Sequence, residues 1–590
     1  MPKSRFTVSR MLMRVRRVVR NDQLVLSVLA LIVGIAVGGA IILFREGINL
    51  FQRLFFQSDS ELLDLAAVLL PWWQIVLVPT VGGLLVGLFV RYFMPERRPH
   101  GLSDAIEASA LRGGRMSAAT GIKAAFVSAL SIGAGASVGR EGPAVHLGAS
   151  LGAWLAERLH LTRSLSRTLL GCGAAAAVAA SFNAPLAAAL FANEVVIGHY
   201  ALKTFAPVVI ASVTGTAVSR AYFGAYPAFV IDKNVIASLW EFPAFVGLGI
   251  VGGLVAIILM RGIALANRTS EKMPIPDWCR PAVAGLIVGM IAVAFPQVLG
   301  VGYGATSQAL AGHLVLWVLI GVAAAKIIAT AISLGFGFGG GIFSPSLMIG
   351  AMVGGAYGMI ATQIFPDYSS GPEVYTIIGM GAVASAVLGA PISTTLIVFE
   401  MTGDWELTMA VIVAVVVAAV VTQQIFGKSF FAWQLEKRGL DLQGGLEAVH
   451  LRAVKVRDVM SRDSEVVATD MKLQALRDRL QQSPLGKLFV VKGGVLAGTV
   501  TLADLSEVAF DHDFDDLVNA GDVARLHPTI LSADDDLGTA LKVMHETGEE
   551  HIAVVQDHES MTFLGCLHER DAMQSYNRAL LESRREERGI

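Results

Sequence analysis

Charge is scarce in this 590-residue chain. Asp, Glu, Lys and Arg make up 16% of it and hydrophobic residues 54%, where a soluble globular chain carries about 25% charged residues. The mean hydropathy is +0.60. This composition excludes a soluble enzyme, a disordered protein and a nucleic-acid binder. A net charge of -2 gives no partner chosen by bulk electrostatics. Cysteine is scarcer still. Cys172, Cys279 and Cys566 lie too far apart for a disulfide framework or a thiolate metal cluster. The chain also lacks His-Glu-x-x-His, a phosphate loop and a nucleophile paired with a base, so no catalytic residue and no metal ligand is assigned. Glycine is abundant instead, with 61 glycines and 20 prolines, as closely packed or interrupted membrane helices require.

The little charge there is divides the chain. Of its 94 charged residues, 41 fall in the last 140, so a water-soluble tail follows a membrane part. That part carries charge-free runs at Leu24–Phe44, Pro71–Val90, Thr168–Asn193, Phe242–Met260, Pro281–Ala325, Ile327–Pro366, Val374–Phe399 and Leu407–Gly427. A spanning helix needs about 20 apolar residues; these runs predict well over ten helical segments, several of them short. The first twenty residues hold seven Lys and Arg and no acid, which predicts a cytoplasmic N-terminus. An even number of spans puts the tail on the same side. The expected boundaries are a basic segment 1–23, a membrane domain 24–440, a linker 441–453, a soluble domain 454–580 and a short tail 581–590.

The membrane part repeats. Gly139-Arg-Glu-Gly-Pro143, followed by Gly148-Ala149, matches Gly341-Ile-Phe-Ser-Pro345, followed by Gly350-Ala351, at an offset of 202 between the prolines. Ala184-Pro185 with Glu194 matches Ala390-Pro391 with Glu400 at an offset of 206. Two halves, roughly 24–225 and 240–440, follow. Proline is tolerated at a helix start, and glycine before it lets backbone approach a ligand. A helix beginning inside the membrane presents free N–H groups and a partial positive end. Two such ends facing each other form an anion site without a full charge, from which a conducted ion can still leave. Glu141 stands just ahead of one Gly-Pro start, and an acid inside a membrane segment points to function. Its carboxylate can occupy the anion site and leave it on protonation, which makes it gate and proton acceptor at once. Lys123, upstream, raises the local potential or is structural.

Gly139-Arg140-Glu141-Gly142-Pro143, Gly341-Ile342-Phe343-Ser344-Pro345 and Phe182-Asn183-Ala184-Pro185-Leu186, by their order and spacing along the chain, resemble the signature of the CLC chloride channels and chloride/proton antiporters over roughly residues 24–440. The resemblance implies an all-α polytopic membrane domain, an inverted-repeat bundle of short, tilted and broken helices. It also implies a homodimer in the lipid bilayer of the cell membrane, with one pore per subunit and chloride or a similar small anion as cargo. It assigns anion contacts to His100, Gly101, Arg140, Glu141, Gly142, Gly341, Ile342, Phe343 and Phe431, and the gate to Glu141. Two positions depart from the family: His100 stands where a serine hydroxyl is usual, and Phe431 where a tyrosine is. Phe431 has no O–H donor, so weak central binding is expected. Antiporters of the family carry a second glutamate where this chain has Val195. Glu194 or His199 then remains as a proton relay through water, although its repeat-mate Glu400 marks Glu194 as architectural. Channel and antiporter both stay open.

The tail repeats too. Asp458-Val459, Ala475-Leu476, Lys487–Val491, Gly498 and Asp504 recur as Asp522-Val523, Ala540-Leu541, His551–Val555, Gly565 and Asp571. This α/β pattern is similar to a tandem CBS pair, with no cofactor required. The resemblance places the phosphate of ATP, ADP or AMP at Thr501 and its ribose at Asp504. His568 replaces the Ser or Thr of the second copy, leaving one nucleotide site. A dimerisation tail without ligand is the other reading. The expected function is transport of a small anion, alone or in exchange for protons, modulated through the tail. The alternative is a membrane-tethered nucleotide sensor with a vestigial pore.

Overall fold

The computed structural model describes residues 22–57, 63, 67, 70–224, 236–440, 454–505 and 515–588. The basic segment to residue 21, the linker at 441–453 and the acids Asp511 and Asp513 lie outside the described residues. The chain divides into two compact units near residue 441.

The first unit is helical throughout its described residues. Its helices are α1 (Asp22–Phe56), α2 (Trp72–Phe93), α3 (Leu102–Ala110), α4 (Ala118–Gly133), α5 (Glu141–Arg158), α6 (Arg163–Phe182), α7 (Pro185–Phe191) and α8 (Leu202–Phe223) in the first half. The second half has α9 (Phe242–Lys272), α10 (Arg280–Ala294), α11 (Tyr303–Leu310), α12 (Leu316–Gly335), α13 (Phe343–Ile364), α14 (Pro372–Leu388), α15 (Pro391–Thr402) and α16 (Trp405–Ile425), with α17 (Phe430–Lys437) after it. Among the described residues, eight helices are long and apolar enough to cross a membrane. Leu43 and Leu54 on α1 point outward, 74% and 67% exposed, as lipid-facing leucines do. Trp72, Trp73, Trp240, Trp317 and Trp405 are exposed at or beside helix starts, the usual depth of interfacial tryptophan.

The repeated glycines explain the tightest crossings. A Cβ on Gly148 would stand 2.3 Å from the Gly173 carbonyl oxygen, and one on Gly173 would stand 2.0 Å from the Gly148 oxygen. In the second half, Gly350 and Gly379 face each other in the same way, at 2.4 Å in both directions. Only glycine lets α5 meet α6, and α13 meet α14, backbone to backbone. The Gly-Ala that follows each signature proline is therefore a helix-crossing device copied in both halves. Helix α6 has its apolar stretch 94% buried and forms the axis of the first half.

Two of the four proline-marked helix starts differ from expectation, by two residues. Pro185 and Pro391 open α7 and α15 as expected, whereas α5 begins at Glu141 and α13 at Phe343, two residues ahead of their prolines. The N–H groups of a first turn have no intrahelical partner, so proline costs nothing at the third position either. The shift puts Glu141 itself on the first turn.

The tail unit holds two three-stranded sheets, β1 (Val466–Ala468), β2 (Lys487–Lys492) and β3 (Val495–Thr501), then β4 (Ile530–Ser532), β5 (His551–Val555) and β6 (Phe563–His568). In each, the first strand runs parallel to the second and the second antiparallel to the third. Each also slips register at the same place, Val490/Val491 and Val554/Val555. Helices Leu473–Gln482 and Leu537–Thr547 follow the first strands. The two copies thus form one α/β unit of tandem design, whose sheets share a core of Phe489, Leu496, Ala553, Val555 and Cys566.

Candidate functional site

The two signature loops meet. Gly139 N–H donates to the Gly341 carbonyl and Gly341 N–H to the Gly139 carbonyl, both at 2.7 Å, an isolated antiparallel bridge. The bridge lies two residues ahead of both helix starts and sets the N-termini of α5 and α13 side by side. No side chain fits between them. A Cβ on Gly341 would stand 3.0 Å from the Gly142 nitrogen, and one on Gly142 would stand 3.2 Å from Gly341 Cα. The first intrahelical bonds are made by Ala144 N–H and Ser346 N–H. The earlier amides of both turns, including those of Glu141, Gly142, Phe343 and Ser344, therefore have no intrahelical acceptor.

Glu141 lies in this junction, 3% exposed. Its Oε1 accepts a hydrogen bond from the Tyr303 hydroxyl at 2.9 Å and stands 4.0 Å from Arg140 Nε. Its Oε2 is buried and has no hydrogen-bond partner. That oxygen points to the other half: the space a Gly139 Cβ would take is bounded by Glu141 Oε2 at 2.9 Å and by Ser344 N at 3.1 Å. Glu141 Oε2 and the Ser344 nitrogen thus border the same small space beside Gly139, one from each half.

One cavity of about 480 Å³ opens onto both helix ends. Glu141, Gly142, Gly341, Ile342 and Phe343 line it together with His100, Gly101 and Phe431. Its wall is aromatic at Phe182, Phe191, Phe343 and Phe431, with the Phe182 and Phe343 ring centres 4.9 Å apart. Its mouth is basic, with Arg91, Arg97, Arg98, Arg280, Lys437 and Arg438. Glu271 and Asp277 pair with two of these cations, at 2.6 Å to Lys437 and 2.8 Å to Arg280.

The inner contacts are arranged around Asp104. Its Oδ1 accepts from Arg98 at 2.7 Å and from Arg438 at 3.0 Å, and its Oδ2 accepts from Gly101 N–H at 2.7 Å. His100 Nδ1 stands 3.3 Å from the same carboxylate, and its Nε2 lies 3.3 Å from the Pro95 carbonyl. Gly101 therefore lines the cavity with its N–H engaged by Asp104, and the His100 ring is held by neighbours on both nitrogens. Phe431 presents only a ring edge or face. Arg140 does not reach the cavity wall; its guanidinium lies 4.8 Å over the Tyr303 ring.

Glu194 sits elsewhere. It caps α15, accepting from Ile392 N–H at 3.1 Å and Ser393 N–H at 2.8 Å. Glu400 does the same for α7, accepting from Leu186 N–H at 2.9 Å and Ala187 N–H at 2.8 Å. Each half thus supplies the anion that closes a helix start of the other. Lys326, which stands 203 residues after Lys123, is fully buried and donates to the Val298 and Gly300 carbonyls at 3.0 and 2.8 Å.

Tyr303 escaped the sequence reading. It opens α11 after Gly302 as Leu102 opens α3 after Gly101, at an offset of 201. The repeat offset was the available signal, and applied to α3 it leads to this tyrosine.

In the tail, Asp504 Oδ2 accepts from the Thr501 hydroxyl at 2.7 Å and from its N–H at 2.9 Å, and Oδ1 accepts from Arg525 at 3.2 Å. Burial pushes the Asp504 carboxyl up, but the Thr501 bonds and the Arg525 guanidinium outweigh it and hold the group below the usual carboxylate range.

Comparison with known proteins agrees with this geometry. The voltage-gated chloride channel family matches residues 82–423, and the CBS domain matches 456–511 and 520–578. A protein of Ralstonia nicotianae named for its likeness to the chloride channel ClcB is 33% identical over 410 residues, covering 69% of this chain and 95% of that protein. The voltage-gated ClC-type chloride channel ClcB of Escherichia coli is 31% identical over 406 residues, 68% of this chain and 97% of that one. Among solved structures, a slow cyanobacterial chloride/proton antiporter superposes with a TM-score of 0.63 at 25% identity, over 70% of this chain and 97% of that one. A eukaryotic CLC transporter shares the fold with a TM-score of 0.62 at 18% identity, over 92% of this chain and 97% of that one. A bundle whose two halves join their helix starts at one cavity, followed by two CBS copies, belongs to the voltage-gated chloride channel (CLC) family, a family of channels and transporters and not of enzymes.

Proposed function

We propose that this chain carries chloride or a similar small anion across the membrane through the cavity at the two helix starts, with Glu141 as its gate. The carrying observation is the buried Glu141 Oε2 that lacks a hydrogen-bond partner beside Ser344. An anionic oxygen there competes with a dissolved anion for the same amides. Protonation removes the charge and lets the anion in, so flux rises as pH falls. Val195 and the engagement of Glu194 on α15 favour conduction without a fixed proton ratio. The second reading, exchange, is supported by Glu141 itself, which would carry a proton each time it leaves the site. The reading includes a homodimer with a pore in each subunit, and a tail on the cytoplasmic side.

Liposomes holding the purified chain, assayed for chloride and pH together, test this. Anion efflux is expected under a chloride gradient. Uphill proton movement driven by that gradient selects exchange, and its absence selects a channel. No flux, with adenine nucleotide still bound, returns a sensor with a vestigial pore.

Tyr303 holds Glu141 in place. A hydrogen bond to a charged acceptor contributes about 1.5–3 kcal/mol, so Tyr303→Phe should raise flux at neutral pH roughly tenfold or more. Unchanged flux would remove Tyr303 from the gate.

The tail reading is one adenine-nucleotide site at Thr501 and Asp504. Asp504 stays ionised at neutral pH and can accept from a ribose hydroxyl. Asp504→Asn should weaken ATP or AMP binding to the full chain about tenfold, as loss of a charged acceptor does, measured by calorimetry. Equal affinities would mean the nucleotide binds elsewhere.

A further inference from the structure

Three of the positions at which the second CBS copy differs from the first share one face of its sheet. Strand register makes Lys487, Thr499 and Thr501 of the first copy the counterparts of His551, Cys566 and His568. Lys487 pairs with Thr501 and Phe489 with Thr499; His551 pairs with His568 and Ala553 with Cys566. All three exchanges go to metal-ligating side chains. Cys566 and His568 are two apart on β6 and project to the same side.

The three donor atoms lie within 4.8 Å of one another. His551 Nδ1 and His568 Nδ1 are 3.0 Å apart. Two nitrogens bound to one tetrahedral zinc stand about 3.3 Å apart, given Zn–N distances of roughly 2.0–2.1 Å, so a small ring movement suffices. We propose that His551, Cys566 and His568 form a binding site for a divalent transition-metal ion of the zinc class, in place of a second nucleotide site. One thiolate and two imidazoles are the ligand types such ions take, and three protein ligands leave one position for water.

The surroundings suit a built site. Cys566 is buried, and its backbone is clamped on both sides, with Ser461 N–H donating to its carbonyl at 2.8 Å and its own N–H donating to the Ser461 carbonyl at 2.9 Å. A bound ion displaces the Cys566 thiol proton to water as the sulfur–metal bond forms. Lys487 approaches the cluster, but its ammonium is held by Glu549 at 2.5 Å and by the His551 carbonyl at 2.8 Å. Those contacts keep its positive charge compensated beside an incoming cation.

The full chain in detergent, stripped with chelator and titrated with cobalt(II), gives the decisive reading. A sulfur-to-cobalt charge-transfer band is expected in the wild type and not in Cys566→Ser. Zinc retained through gel filtration is expected at about one ion per chain, with affinity falling about a hundredfold in His568→Ser. His568 is only partly buried, so its replacement leaves the core intact if Cys566→Ser misfolds. Absence of the band in the wild type overturns the site, as does a band that survives Cys566→Ser or zinc retention equal in the wild type and His568→Ser.

Discussion

Replacing Glu141 by Gln is expected to raise anion flux at neutral pH and to abolish its rise in acid. In the wild type, Tyr303 holds Oε1 at 2.9 Å, while Oε2 borders the same space as the Ser344 nitrogen of the other half. The amide keeps the shape and an oxygen for Tyr303, but carries no charge to compete with the transported anion. A charge-assisted contact is worth about 1.5–3 kcal/mol, so the amide should shift occupancy of the site toward the anion roughly ten- to a hundredfold. The sign is fixed by the chemistry: protonation of the wild-type carboxyl opens the site, so its flux grows as pH falls, and a residue with no proton to take gives a flat profile. Any proton movement coupled to chloride should vanish with it. Glu141→Ala, which leaves the site empty of any side chain, should be open as well. Liposome flux against pH reads all three outcomes. If rate, selectivity and pH response stay as in the wild type, the gate lies elsewhere.

What the sequence made legible is what repeats in it. The prolines at 143 and 345 stand at helix starts on one cavity because two glycine-flanked motifs at one offset can hardly serve different ends. Gly148 and Gly350 followed the same rule, and the structure adds their partners Gly173 and Gly379. The strand register of the tail likewise repeats to the residue. Single contacts that join one half to the other were hidden. Tyr303 reaches Glu141 across 162 positions, and Arg438 reaches Asp104 across 334; neither carries a local pattern. The Gly101 amide looked free for an anion because nothing in a linear reading shows that Asp104, three residues on, turns back to take it. His551, Cys566 and His568 are similar: spacing along the chain fits no metal motif, and only the antiparallel pairing of β5 with β6 brings them together.

The glutamates 194 and 400 yield the second large effect. Each accepts two backbone N–H groups at the start of a helix from the opposite half, where the helix dipole also favours a negative charge. These bonds are charge-assisted. Glutamine offers one carbonyl oxygen and turns an N–H₂ toward the remaining N–H, so one bond is lost and one donor is left facing another. The cost should be about 2–4 kcal/mol at each position. Glu194→Gln and Glu400→Gln should therefore lower the thermal midpoint of the detergent-solubilised chain by similar amounts. Flux per folded chain, and any proton-to-chloride ratio, should remain as in the wild type for both. The comparison separates two roles for Glu194 that the residue type alone does not. A side chain that caps a helix behaves like its repeat-mate under the same substitution. A proton relay does not, because Glu400 sits on the opposite half of the pairing. If Glu194→Gln stops proton movement at undiminished stability while Glu400→Gln only destabilises, Glu194 lies on a proton route and its two hydrogen bonds to α15 are incidental to it.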